Sequence, residues 1–277
     1  MSDAPTPVAF ARQPARHGIQ WLREATEMLA AARLPWMMLL FVYYVVQLAV
    51  SVVPIVGPLA MMLLRPVFTV GFLAAAWTQE RAGTPRIQHL FRGFRANLWA
   101  LLPIGAVLIA GTTLAVLASS LVDDGALFDA ITSGAKPDEA LVANPRLEAG
   151  MLFSVACAIP VLLAVWFAPA LVVFHDCGPL AALAGSLRAA LANWRPVALY
   201  GALLFLCGAV LPAMAIALIA YLLPQAIVPF AIALLVVPYV FLFIAAQTIS
   251  DYVAYRDIFH SGESATLPTV GGSAPSE

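Results

Sequence analysis

Charged side chains are scarce in this sequence. Only 10% of the 277 residues are Asp, Glu, Lys or Arg, against roughly 25% in an ordinary soluble domain. There is no basic excess either, because 14 Lys and Arg stand against 15 Asp and Glu, which leaves nothing to neutralise a phosphate backbone. The composition therefore excludes a soluble globular protein, and we expect no nucleic-acid partner.

Residues that usually carry catalysis are few as well. The chain has 3 cysteines and 4 histidines, and no cysteine pair has the spacing of a zinc or redox motif. The sequence contains no H-E-x-x-H, no glycine-rich phosphate loop and no G-x-S-x-G elbow. None of the histidines lies inside an apolar run. We therefore expect no cofactor, no metal and no enzyme activity.

Apolar residues, in contrast, make up 62% of the chain. A membrane-crossing helix needs ~20 mostly apolar residues, and six stretches qualify: 34–53, 55–77, 98–121, 151–174, 197–222 and 226–249. No aspartate falls within these stretches. The sequence predicts an all-α, polytopic membrane helical bundle of six transmembrane helices in one domain, residues 18–260. The ends, 1–17 and 261–277, are predicted to be disordered because they are rich in Pro, Ser, Gly and Ala.

The basic residues predict the orientation of the chain. Eleven arginines fall before span one, between spans two and three, between spans four and five, or after span six. The 122–150 loop has only Lys136 and Arg146, beside six acids. Cytoplasmic loops keep the excess of basic residues. Both termini are therefore predicted to be cytoplasmic, with the 122–150 loop in the periplasm and the protein in a bacterial inner membrane.

Three segments outside the spans have apolar residues at helical spacing. In 86–97, Ile87, Leu90, Phe91 and Phe94 alternate with basic residues, which is typical of a helix lying in the membrane interface. Segments 18–32 and 179–193 are similar. We expect the lipid bilayer as a partner, with anionic headgroups contacting 86–97. Simple stiffening of loops is the alternative.

The chain also aligns with itself after a shift of 96 residues. Glu80 then coincides with Asp176, Asn97 with Asn193, and Gly105 with Gly201. A further shift aligns Asp251 with Glu80 and Asp176. This predicts a threefold internal repeat, in which each unit is an interfacial helix followed by a transmembrane hairpin. Chance similarity between apolar sequences is the alternative.

The repeat would place three carboxylates at the cytoplasmic ends of spans two, four and six: Glu80, Asp176 and Asp251. One hypothesis is that they surround a shared mouth that attracts cations. Solvation of helix ends alone is the other explanation. His175–Asp176 is the best remaining pair for metal binding or proton relay. Neighbouring residues on a helix point in different directions, however, and we expect this pair simply to end span four in water.

Arg65 is the only charged residue inside a predicted span. An arginine at the centre of a membrane costs ~2.5–3.5 kcal/mol on insertion scales, so a compensating contact is expected. We predict that Arg65 faces the bundle interior and contacts carbonyls freed by Pro66 or a polar side chain of span one: Tyr43, Tyr44 or Gln47. An interhelical clamp, an anion or substrate site, and a span edge that lies nearer to water all remain open.

One stretch carries a family resemblance: Trp166 to Leu204, WFAPALVVFHDCGPLAALAGSLRAALANWRPVALYGALL. With six spans around it, it resembles an uncharacterised family of betaproteobacterial inner-membrane proteins. The resemblance implies a multi-pass fold and transfers no activity, substrate or site residue.

Three functions follow as hypotheses. The first is a non-enzymatic structural, assembly or scaffold role with another membrane protein as partner, because a catalytic set is missing. The second is a small-solute transporter or permeation protein that uses Arg65 in a proline-broken bundle. The third is an enzyme of lipid or envelope metabolism. A cavity lined by Arg65 would favour the second, whereas a dry, closed bundle would favour the first.

Overall fold

The computed structural model describes residues 8–95, 97–132 and 145–260. The predicted disorder of 1–7 and 261–277, and part of the predicted 122–150 loop, therefore lie outside the described residues. Within the described ranges every regular element is helical, and six helices are long and apolar enough to cross a membrane. The predicted all-α bundle of six spans is confirmed.

The spans differ in continuity. Span one is Arg33–Ser51, span two Val56–Glu80 and span three Leu98–Asp123, each a single helix. Span four, Pro145–Phe174, divides at Phe167 into the helices Pro145–Trp166 and Ala168–Phe174. Span five, Trp194–Leu222, has helices Trp194–Phe205 and Leu211–Leu222 around a π-helical segment, Leu206–Val210. Span six, Val228–Phe259, has helices Val228–Ala231 and Val237–Phe259 around a second π-helical segment, Ile232–Val236.

Shorter helices connect the spans. His17–Ala31 precedes span one, Ile87–Leu90 and Arg92–Arg95 precede span three, Ala126–Thr132 follows it, and Pro179–Ala192 precedes span five. This order contains one or two short helices before each pair of spans. The threefold repeat nevertheless stays a prediction, because an order of elements does not show that the units superpose.

Span two is the centre of the bundle. In its most apolar stretch 61% of the residues are buried, against 6% in span five. Aromatic rings join span one to it, with Tyr43 packing edge-on against Phe68 at 5.2 Å and Phe72 at 5.5 Å between ring centroids. Spans five and six are mostly exposed in their most apolar stretches, with 6% and 11% of the residues buried, whereas the second half of span six, from Ala245 to Phe259, packs into the core.

The 86–97 segment is not one interfacial helix as predicted. Two single turns, separated at Phe91, replace it, and Leu90 is completely buried. A Cβ on Gly93 would lie 2.1 Å from the carbonyl oxygen of Val67, so only glycine permits this approach. The segment breaks because it packs on span two as well as facing outward.

The prediction of disorder over 1–17 is wrong for residues 8–16. Ala11 N–H donates to the carbonyl of Ile258 at 2.7 Å, and Gln13 N–H donates to Asn193 Oδ1 at 2.7 Å. Asn193 is buried and returns a bond from Nδ2 to the Ala11 carbonyl at 3.0 Å. A low apolar content therefore did not prevent order, because the bundle supplies backbone partners to this segment.

Candidate functional site

Arg65 lies in the membrane-crossing part of span two. Nine residues separate it from Val56, which places it about 14 Å along the helix axis. The next residue is Pro66, which has no N–H to donate to the carbonyl four residues earlier. The Thr69 hydroxyl donates to the Arg65 carbonyl at 2.9 Å. The Arg65 side chain itself is exposed within the bundle.

Two cavities meet at Arg65. One measures about 650 Å³ and the other about 360 Å³. Four residues line both, and all four are polar: Arg65, Thr69, Gln247 and Asp251. These residues come from spans two and six, so the two helices together build a polar junction inside the bundle.

The larger space, which we call the polar cavity, lies between spans one, two and six. Its wall includes the three side chains that the sequence analysis places near Arg65, together with a serine and a threonine: Tyr43, Tyr44, Gln47, Ser51 and Thr248. Among the described residues, none forms a hydrogen bond with the Arg65 guanidinium. The predicted neighbours are thus brought to the same cavity as Arg65, and the role of the arginine stays a prediction.

The smaller space, which we call the apolar cavity, reaches between spans two to six. Apart from the junction, aliphatic and aromatic side chains dominate its lining: Leu108, Ile159, Leu162, Leu163, Val165, Trp166, Val197, Tyr200 and Leu204. Ile159 is 48% exposed and Leu162 43%. The apolar cavity is partly open, and these two residues lie in the middle of span four.

Asp251 is held from the side of the apolar cavity. Trp166 Nε1 donates to Asp251 Oδ1 at 2.8 Å, and the Tyr200 hydroxyl lies 3.5 Å from the same oxygen, which is a weak contact. The Trp166 and Tyr200 rings are stacked, 5.5 Å apart and 3° from parallel. The Tyr200 and Ser250 hydroxyls are 2.5 Å apart. These contacts fix the carboxylate beside Arg65.

The position of Asp251 corrects the sequence analysis, which ends span six at 249 and finds no aspartate in a span. The helix continues to Phe259, so Asp251 is an internal residue. The sequence signal that indicates the longer helix is the helical spacing of Tyr252, Tyr255 and Phe259, which are all buried. No ion pair among the described residues joins Asp251 to Arg65. Both side chains line the two cavities.

Glu80 takes part in a different cluster. It accepts from the Arg256 guanidinium and from the Tyr252 hydroxyl, and Arg256 also donates to Glu24 at 2.5 Å. Asp176 is exposed in the loop after span four, with φ of 51°. Of the three carboxylates predicted at one mouth, only Asp251 lines the cavities. The structure does not bring the three together there.

His175 and Asp176 differ in burial: the His175 side chain is half-buried, whereas Asp176 is exposed. The Nε2 of His175 is buried and has no hydrogen-bond partner in the described part of the chain, while its ring stacks on His260 with 5.2 Å between centroids. Burial first, and the nearby His260 second, lower the pKa of His175 to about 4. The ring is therefore neutral at pH 7. No group of three metal-binding side chains occurs among the residues described.

The chain is similar to a probable inner membrane protein of Burkholderia thailandensis, with 30% identity over 199 residues. The match covers 69% of this chain and 73% of the relative. No family model and no solved structure matches the chain.

Proposed function

The chain belongs to the family of this probable inner membrane protein of Burkholderia thailandensis, and we propose that it binds a small organic anion inside its bundle and carries it across the inner membrane. The resemblance to a betaproteobacterial inner-membrane family is thereby confirmed. It transfers no activity, because the relative's name states only a location. The observation that carries the proposal is the pair of cavities that meet at Arg65.

The Arg65 guanidinium, which forms no hydrogen bond with a described residue, favours an anion on its own side of the junction, whereas Asp251 occupies the other side. Ionisable residues inside membrane spans mark substrate or ion pathways, because placing a charge there costs ~2.5–3.5 kcal/mol on insertion scales. Arg65 makes no ion pair with any described acid. Three side-chain donors that span one contributes to the polar cavity, Tyr43, Tyr44 and Gln47, likewise have no side-chain hydrogen-bond partner among the described residues. A bound anion would satisfy these donors together.

The alternatives are less well supported. A scaffold needs no polar cavity, and a polar junction of four residues inside the bundle is costly unless a ligand or water uses it. An enzyme of lipid metabolism needs an activated nucleophile or general base. The cavity residues offer only Asp251 as a base, with Trp166 and Tyr200 as its partners. We therefore propose binding and transport without a chemical reaction.

We propose the same orientation that the arginine distribution predicts, with both termini in the cytoplasm. The Arg86–Arg95 segment would then face the anionic leaflet, where each arginine contributes about 1 kcal/mol of attraction. Anionic headgroups are therefore the proposed partners of this segment. The polar cavity, near the span one–span two turn, would lie toward the periplasm.

Uptake by proteoliposomes tests the proposal. The solutes are alkanesulfonates from methanesulfonate to octanesulfonate, with taurine as a zwitterion and choline as a cation. Sulfonates stay ionised and do not cross a bilayer as neutral acids. We expect at least one alkanesulfonate to enter faster than in protein-free vesicles, and Arg65→Leu to slow this entry about tenfold or more.

Two further variants make the test specific. Arg65→Lys keeps the charge and should retain part of the uptake. Arg23→Leu is the control, because the Arg23 side chain is 78% exposed in a pair with Glu27 and should leave uptake unchanged. Uptake of no sulfonate, or equal uptake by a correctly folded Arg65→Leu protein, would contradict an anion carrier.

A further inference from the structure

Resting on the proposed anion carrier, the geometry points to a more specific substrate class: we propose that the anion is amphipathic, with a single alkyl chain. The charged head would lie at Arg65 against the polar cavity, and the chain would lie in the apolar cavity. The two spaces meet only around the four polar residues of the junction. A ligand that fills both must therefore change from polar to apolar at Arg65.

The polar cavity suits a head group with hydrogen-bond acceptors. Arg65 offers its guanidinium donors, Tyr43 and Tyr44 offer hydroxyls, and Gln47 and Gln247 offer amides. Asp251 faces the same junction, so a second negative charge on the head would meet a carboxylate. A head with one negative charge fits this arrangement.

The apolar cavity suits an alkyl chain. Leu108, Leu163 and Val197 give it an aliphatic wall, and the stacked Trp166 and Tyr200 rings close one side. Its volume of about 360 Å³ falls within the ~300–1,000 Å³ of small-molecule sites.

The partly open side of the apolar cavity gives such a chain a route. Ile159 and Leu162 line this cavity, are about half exposed and lie in the middle of span four, where a spanning helix is surrounded by lipid. A chain could therefore enter from the bilayer while its head stays at the polar junction. A small polar anion would gain nothing from this opening, which is why the observation favours an amphiphile.

Fluorescence quenching tests the assignment directly, because Trp166 lines the apolar cavity. The protein is placed in phosphatidylcholine nanodiscs and titrated with 11-bromoundecanoate, whose bromine quenches tryptophan on contact. We expect a saturable quenching component that disappears in Trp166→Phe and needs about tenfold more ligand in Arg65→Leu. Octanesulfonate should displace the probe at concentrations where methanesulfonate does not.

A second variant separates chain binding from anion binding. Gly201 lines the apolar cavity, and a Cβ built there meets no atom within 4 Å, so Gly201→Leu would fill the cavity without a backbone clash. It should abolish the Trp166-dependent quenching and octanesulfonate uptake while methanesulfonate uptake, if present, survives. Gly178→Leu is the matched control, since it also has open space at Cβ and does not line either cavity.

A second nanodisc preparation, doped with chain-brominated lysophosphatidylglycerol, which has one acyl chain and one negative charge, distinguishes the source of the amphiphile. If Trp166 is quenched in these discs in an Arg65-dependent way, the ligand is a bilayer lipid. If only free bromoundecanoate quenches Trp166, the ligand is a soluble amphiphile. Either result supports the inference. Equal displacement by methanesulfonate and octanesulfonate would overturn the amphiphile while leaving an anion carrier standing. Quenching that is indifferent to both Arg65 and Gly201 would overturn the site.

Discussion

At the scale of single residues, the site depends on two charges that the sequence reveals unequally. Arg65 is visible because it is the only charge in an apolar run. Asp251 is less visible because it follows the last purely apolar stretch, and the one sign in the sequence that the helix continues is the helical spacing of Tyr252, Tyr255 and Phe259. Composition therefore predicts the arginine inside the bundle, whereas the position of Asp251 beside it follows from the packing of span six.

His175 provides a test of residue-scale electrostatics through pH. Its pKa is lowered to about 4 by burial and by His260, against an ordinary value of about 6.5. Between these values the unfolded chain binds the proton and the folded chain does not, so this contribution to stability is complete above about pH 6.5 and is lost as the pH falls toward about 4. The melting temperature in detergent should fall over this range.

The matched variant is His175→Phe, which keeps an aromatic ring on His260 and removes the titration. Its melting temperature should fall less than that of the parent protein between pH 7 and pH 4. Parallel curves for the two proteins would show that burial of His175 does not govern the acid response.

At the scale of elements, the spans follow from apolar length alone, whereas their interruptions do not. The structure places a π-helical segment in span five before Pro212 and another in span six before Pro238. The prolines are visible in the sequence, but the change of hydrogen-bond register is not. Likewise, the broken 86–95 segment depends on the contact of Gly93 with span two, and periodicity carries no information on such a contact.

Tyr239 joins the two interrupted spans. In π register the carbonyl of Cys207 would accept from residue 212, which is a proline without N–H. The Tyr239 hydroxyl donates to that carbonyl instead, at 2.7 Å. Tyr239→Phe should lower the free energy of unfolding by about 0.6–1.7 kcal/mol, the range for hydrogen bonds between membrane helices, as measured by SDS-induced unfolding.

A double variant identifies the cause. Pro212→Ala restores an N–H for the Cys207 carbonyl, so Tyr239→Phe should cost less stability in that background. Tyr221→Phe is the control, because Tyr221 is 86% exposed. A cost for Tyr239→Phe that is the same with and without Pro212 would show that the carbonyl does not need the tyrosine.

At the scale of the whole molecule, the sequence predicts the bundle and its six spans but not the cavities. The volume between spans two, four, five and six depends on how spans five and six pack against the other spans, and no local pattern encodes this packing. The threefold repeat and the shared carboxylate mouth are predictions about the arrangement of the whole molecule. The repeat stays a prediction, and Glu80 is engaged by Arg256 and Tyr252.

The proposed orientation is tested by fusions. Alkaline phosphatase joined at Gly134, which lies in the predicted periplasmic loop and outside the described residues, should be active. A fluorescent protein joined after His260 should fluoresce, because it would fold in the cytoplasm. The opposite pattern would invert the bundle and place the polar cavity toward the cytoplasm.

The central claim is that a polar, accessible space exists around Arg65 inside the membrane, and cysteine accessibility measures it most directly. With Cys157, Cys177 and Cys207 replaced by alanine, Thr69→Cys lies at the junction of the cavities. Ala110→Cys, on the exposed surface of span three, is the control at the same distance from its helix end, about 20 Å. We predict that a charged, water-soluble methanethiosulfonate reagent modifies Thr69→Cys and spares Ala110→Cys. Equal protection of both cysteines in intact membranes would contradict the account.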